Sequence, residues 1–262
     1  MLFSKKDLQK LIIPLMFEQL LAVSVGMVDT LMVSQAGEAA ISGVALVDNI
    51  NRLIIQVMAA LATCSQFVGK GKEEGAKKSG AQLETVLLVF SVCMTLLSLI
   101  GTRGLLHAVF GNVSEDVMDS AVLYFTVTSL SFPFLGIYNA GAAIFRSIGN
   151  SKISMQIRLL MNVINIVGNA IFVFGFHWAV FGVALATLLS RIVAGIVITL
   201  LVCGKTNPIR IDKWSELKPD GSIIKKILAI GIPSGVENGM FQIGKLAVTS
   251  MVATFGTASI AA

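Results

Sequence analysis

Charge is scarce in this sequence. Asp, Glu, Lys and Arg together make up 13% of its 262 residues, against roughly 25% in soluble domains, too few to coat a water-facing surface of this size. Hydrophobic residues reach 55% before the 24 glycines are added. An ordinary cytosolic domain and a disordered tail are both excluded. The net charge of +5 and pI near 9.2 suggest a nucleic-acid binder only until the basic residues are placed along the chain.

Cysteine and histidine are nearly absent. Cys64, Cys93 and Cys203 are odd in number, far apart and set in apolar runs with no CxxC, so they read as reduced, buried packing residues rather than metal or redox groups. His107 and His177 stand apart near the ends of apolar segments, as interfacial residues do. No HExxH, GxSxG or Walker-type glycine loop occurs. An enzyme therefore has little to stand on, no cofactor is expected, and any active transport must draw on an ion gradient or a separate ATPase. Lys5, Lys6 and Lys10 before a long apolar run imitate a signal peptide. The run is too long, carries Glu18 and Asp29, and lacks a cleavage motif, so it reads as a first membrane span.

What the sequence has in abundance is apolar segments of bilayer length, about 20 residues each. Seven are expected, over residues 11–34, 44–68, 80–101, 118–143, 157–177, 180–203 and 227–254, with Pro14, Pro133 and Pro233 as candidate bends. The basic residues divide by side. Lys5, Lys6 and Lys10, then Lys70, Lys72, Lys77 and Lys78, then Arg146, Lys152 and Arg158, then the stretch from Lys205 to Lys226 all lie on alternate loops, whereas the opposite side holds Arg103 among Glu38, Glu115, Asp116 and Asp119. Such a partition predicts a multi-pass protein of the cell (inner) membrane with a cytoplasmic N-terminus, and topology accounts for the basic loops without nucleic acid.

The chain also matches itself at an offset of 219 residues. Ile13, Pro14, Glu18, Thr30, Met32, Val33, Gly37, Ala39 and Ile41 fall on Ile232, Pro233, Glu237, Thr249, Met251, Val252, Gly256, Ala258 and Ile260 without gaps. Six spans separate the copies, so both start on one side, as in a parallel transporter repeat. The expectation is an all-α membrane protein: a six-helix N-terminal lobe over 1–203, a cytoplasmic linker over 204–222, and the first helix of a second lobe over 223–262. A second copy that stops after one helix implies a fragment of a longer protein.

Ionisable side chains inside a bilayer mark function by default. Glu18 and Asp29 return to nearly the same face of the first helix, about 16 Å apart along its axis, so both can look into one cavity. Asn162, Asn165 and Asn169 share a stripe on the fifth span, suited equally to holding a cation or to gluing helices. Asn49, Asn51 and Arg52 either line the same cavity or mark a helix end. Arg191 and Lys245 pair or snorkel.

Taken in order, these segments resemble the multidrug and toxic compound extrusion (MATE) family over the whole chain. The resemblance rests on Pro14…Glu18…GMVDTLMVS…Gly37, then QFVGKGKEEGAKKSG, SFPFLGIYNAGAAIFRSIGNSK, NVINIVGNAIFVFG and GVALATLLSR. It implies a twelve-helix antiporter, monomeric as the full-length protein, that expels organic cations or other amphipathic small molecules through the lipid membrane in exchange for H⁺ or Na⁺. Asp29 matches the family's first-helix aspartate, and Pro14 the hinge at which that helix bends. The surrounding network carries over onto Tyr124, Asn139, Asn165, Asn169 and Thr187. In this reading Asp29, Asn165, Asn169 and Thr187 couple the ion, with a transient Na⁺ at the first three, while Glu18, Tyr124, Asn139, Asn162 and Glu237 face the substrate. Many relatives carry a second aspartate where this chain has Asn169, which leaves the pocket less negative. A flippase for lipid-linked saccharides of the same superfamily and a seven-helix receptor are the alternatives; the former would want clustered intramembrane positive charge, which is sparse here.

Overall fold

The structure, a computed structural model, describes residues 5–34, 37–68, 73–111, 113–204 and 219–253. They form eight α-helices: α1 (Lys5–Val33), α2 (Glu38–Val68), α3 (Glu73–Phe110), α4 (Glu115–Ser129), α5 (Phe132–Ser147), α6 (Ser151–Asn169), α7 (Ala179–Val202) and α8 (Gly221–Ala253). A π-helical turn, Ala170–Gly175, extends α6. Backbone groups have no water to bond in hydrocarbon, so a chain this apolar closes its hydrogen bonds within helices.

Five helices are long and apolar enough to cross a membrane, and α4 with α5, bent by 49°, makes a sixth span. The expected unbroken span over 118–143 is thus two helices. The chain breaks at Leu130 and Ser131, just before Pro133, whose missing N–H suits the first turn of α5. Thr95 on α3 compensates the break by donating to the Ser129 carbonyl at 2.9 Å. The seventh expected span corresponds to α8, which is not among the five helices long and apolar enough to cross a membrane. The linker residues 205–218 lie outside the described residues.

The core is aliphatic and aromatic: Leu46, Leu83, Leu87, Phe125, Phe132, Tyr138 and Ile198 are fully buried. Large apolar side chains also cover the outside, with Leu31, Ile100 and Leu200 well exposed, as a lipid-facing surface requires. Hydrophobic burial therefore cannot alone say how the helices meet, and small residues decide it. A Cβ on Gly43 would lie 2.9 Å from the Val117 carbonyl oxygen and the Ala121 nitrogen, so α2 and α4 touch backbone to backbone there. Helix α1 packs chiefly on α6, and α8 chiefly on α2.

Two sequence expectations need correction. Cys93 and Cys203 are free, as expected, but exposed rather than buried, on faces of α3 and the end of α7 turned away from the core. Asn49 to Arg52 do not mark a helix end, because α2 runs unbroken through them to Val68. Asn49 instead donates to its own helix at the Ala45 carbonyl. The side chains of Cys64 and Lys245 lie outside the described residues.

Candidate functional site

The asparagine stripe of α6 is real and buried, with Asn162, Asn165 and Asn169 all facing inward. Spacing of i, i+3 and i+7 places their amides on one line, and each finds a different partner. Asn162 donates to the Leu21 carbonyl of α1 at 2.8 Å. Asn165 donates to Thr187 Oγ1 of α7 at 3.1 Å. Asn169 donates through one amide nitrogen to Asn165 Oδ1, at 3.2 Å, and to Asp29 Oδ1 of α1. A continuous chain, Thr187–Asn165–Asn169–Asp29, thus links three helices. Asn162 thus ties α6 to α1, while Asn169 holds the Asp29 carboxylate with Asn165 behind it.

One acceptor in this chain is left over. Asn169 Oδ1 is buried and has no hydrogen-bond partner, and a buried acceptor without a donor costs on the order of 1–3 kcal/mol. It sits on the residue that already touches Asp29, itself 5% exposed. One carboxylate with amide and hydroxyl oxygens is a hard, weakly charged set, matched to a proton or a monovalent cation rather than to a transition metal. The π turn begins at the next residue, Ala170, where interrupted helical bonding commonly accompanies a functional site.

A second polar group lies across α2, α4 and α7. Tyr124 donates to Asp48 Oδ1 at 3.2 Å, Asn51 to Thr128 Oγ1 at 3.4 Å, and Arg191 to Ser131 Oγ at 2.8 Å beside the α4–α5 break. Asp48 was not singled out by sequence reading. Its signal was there, an acid inside the second expected span, but the Asn49, Asn51 and Arg52 cluster beside it drew the argument. Of the family network, Tyr124 belongs to this group, and Asn139 turns its amide to the Leu135 carbonyl of its own helix.

Glu18 sits apart from both groups. Its Oε1 accepts from Tyr138 at 3.0 Å and its Oε2 from Ser154 at 3.3 Å. Arg146 and Arg158 each approach Oε1 to 3.7 Å, and the Arg158 guanidinium lies 5.1 Å from the Tyr138 ring centroid. Two basic residues that served the sequence argument only as topology markers are therefore the partners of an intramembrane acid. Glu18 and Asp29 do not form a pair, and Glu237 is exposed on α8. Pro14 lies within α1, where its ring leaves the Lys10 carbonyl without its helical donor.

Comparison with known proteins places this arrangement. Residues 14–171 match the family model described as MatE. An uncharacterized transporter, YisQ, of Bacillus subtilis (strain 168) is 26% identical over 94% of this chain and 56% of its own length. The probable multidrug resistance protein NorM of Thermotoga maritima is 27% identical over 98% of this chain and 56% of its own. The chain thus spans a little over half the length of these curated relatives. An inward-facing multidrug resistance MATE family transporter of the MOP superfamily shares the fold with a TM-score of 0.84 at 24% identity, over 97% of this chain and 59% of the other. A MOP superfamily transporter from Pyrococcus furiosus, described as having a binding pocket of reverse polarity, shares it at 0.82 and 23% identity, over 98% and 58%.

Proposed function

Because the chain belongs to the MatE family, a family of multi-pass membrane transporters, we propose that it carries the ion-coupling half of an antiporter. In this reading it exports organic cations and other amphipathic small molecules by alternating access, in exchange for H⁺ or Na⁺. The N-terminus and the Glu18–Arg146–Arg158 end of the helices face the cytoplasm, and a single copy of the full protein is the working unit. Fold alone does not choose the cargo, since a transporter of reversed pocket polarity has the same fold; the charges of the site carry that choice.

The observation that carries the reading is the unpartnered Asn169 Oδ1 beside Asp29. A charged Asp29 accepts the Asn169 N–H. A protonated Asp29 has an O–H to give, and a rotated Asn169 amide offers the oxygen to take it. A bound Na⁺ would be held by the same carboxylate and amide oxygens. The amide therefore suits either occupied form, and its contact ties α1 to α6 differently in each. Helix α1 can respond because Pro14 has already removed one of its backbone bonds. Coupling requires that the ion and the cargo favour different access states, because a ligand with equal affinity for both shifts nothing.

The test is efflux of a fluorescent organic cation from cells making the protein from its complete reading frame, with and without Asp29→Asn. The Na⁺ and H⁺ gradients are collapsed separately. Gradient-driven efflux lost in the variant, with the protein present in the membrane at normal amount, is the expected result. Wild-type efflux indifferent to both gradients would sink the antiporter reading.

A further inference from the structure

Asp48 is an intramembrane carboxylate that the coupling argument does not use. Its position is built by two helices. Helix α2 carries it, α4 supplies the Tyr124 hydroxyl to Oδ1 at 3.2 Å, and one turn further along α2 stands Asn51, 3% exposed, whose Oδ1 has no hydrogen-bond partner. Residues at i and i+3 share a helix face. The Tyr124 hydroxyl and the Asn51 amide N–H both serve the carboxylate, and the Asn51 oxygen is left without a donor, an acceptor that a ligand bearing N–H groups and positive charge would satisfy.

Access distinguishes this carboxylate from Asp29. Asp29 is 5% exposed and capped by Asn169, whereas Asp48 is half-buried. Arg52, the next residue of the α2 stripe at i+4, is exposed, and its Nη2 reaches α1, lying 3.3 Å from where a Cβ on Gly26 would stand. A guanidinium is costly in hydrocarbon, which fits a polar space beside Asp48. The charges that bear on Asp48 are Arg52 on its own helix and Arg191 on α7, with Asp29 on α1 as the second acid of the same field. Arg52 is placed to act as the tethered counter-ion of Asp48 when nothing else is bound.

We propose that Asp48, with Tyr124 and Asn51, is the subsite that recognises the N–H-bearing head of an organic cation, and that such a ligand displaces Arg52 as the counter-ion. The inference rests on the export of organic cations proposed above.

The decisive measurement is equilibrium binding of diamidinophenylindole, an amidinium dye, to the purified protein made from its complete reading frame. Tetraphenylphosphonium, a cation with no N–H group, serves as the comparison. Asp48→Asn is expected to weaken dye binding at least tenfold and the phosphonium less. Arg52→Gln is expected to tighten the dye severalfold, because it removes a competitor. Arg103→Gln, at an exposed ion pair remote from the site, should leave dye affinity within about threefold. Asp48→Glu, which keeps the charge, should restore part of the binding, and a monodisperse size-exclusion peak establishes that each variant is folded. Dye bound equally by wild type and by folded Asp48→Asn overturns this inference and leaves the export reading standing. So does dye affinity unchanged or weakened in folded Arg52→Gln. Failure of the wild type to bind either cation removes the export reading and the inference with it.

Discussion

The amide of Asn169 holds the Asp29 carboxylate while its own carbonyl oxygen faces no donor. One side chain is therefore both the clamp on an intramembrane acid and an open acceptor next to it. This pairing of α6 with α1 is the point at which a small ion would change the strength of a helix–helix contact.

Replacing that clamp with a second acid changes the ion it prefers. Asn169→Asp puts a carboxylate against Asp29, and two adjacent carboxylates cannot both stay charged without a cation between them. Half-maximal Na⁺ for dye efflux is expected to fall about tenfold, read by titrating Na⁺ at constant pH. Unchanged Na⁺ dependence would mean that Asn169 contributes only packing.

Glu18 is expected to matter for stability more than for exchange. Its carboxylate is surrounded by Tyr138, Ser154, Arg146 and Arg158, and its removal leaves two mostly buried guanidinium groups without their acid. Glu18→Ala should cost roughly 2–4 kcal/mol, somewhat below the usual figure for a broken buried pair because the arginines retain some exposure. Glu18→Gln keeps hydrogen-bonding oxygen and should cost about half as much. Unfolding titrations in mixed micelles measure both. The exposed Arg103, which pairs with Glu115 and Asp119 at the other end of the bundle, provides the contrast, since Arg103→Gln should change stability by less than about 0.5 kcal/mol.

Gly43 sets how closely α2 approaches α4. A methyl group there meets Ser120 Cβ at 2.8 Å and two backbone atoms of α4 at 2.9 Å, and backbone cannot rotate out of the way. Gly43→Ala is expected to cost about 1–3 kcal/mol and Gly43→Leu more, in the same titration. Gly104 meets nothing within 4 Å and should accept alanine without loss. Equal tolerance at the two glycines would contradict the close crossing.

The exposed cysteines report on the membrane boundary. Cys203 follows the last turn of α7 and Cys93 lies within the α3 span, both exposed. In single-cysteine variants within intact membranes, a charged maleimide should label Cys203, while Cys93 should react only with an apolar one. Rapid labelling of Cys93 by the charged reagent would place α3 against water instead of lipid.

Much of this was legible in the sequence because apolar length, charge sidedness and spacing are local quantities. The α6 stripe could be read from three asparagines at helical spacing, and the involvement of Asp29 from its presence in a span. Which asparagine meets which partner was not legible, since Asn165 and Thr187 are brought together by the packing of α6 on α7 and not by any spacing. The same holds for Glu18. Arg146 and Arg158 looked like loop charges because topology explained them completely, and only the fold turns them inward. Asp48 lies near the beginning of the expected second span, whereas α2 starts earlier, at Glu38, and carries it well inside. The α4–α5 break was foreshadowed by Pro133, though the Thr95 hydroxyl that serves the Ser129 carbonyl beside it comes from another helix.

Helix α1 is made well before α5 and α6 and depends on both. Every polar partner described for Glu18, Leu21 and Asp29 lies at least 120 residues downstream, at Tyr138, Ser154, Asn162 and Asn169. At the usual pace of synthesis those residues appear on the order of ten seconds after α1 itself. Two carboxylates must wait that long at the membrane without their donors. Insertion of this protein is consequently a problem of custody: the translocation machinery must keep α1 from drifting into lipid until α6 arrives to receive it, and slowing translation between residues 34 and 151 should raise the fraction degraded before completion.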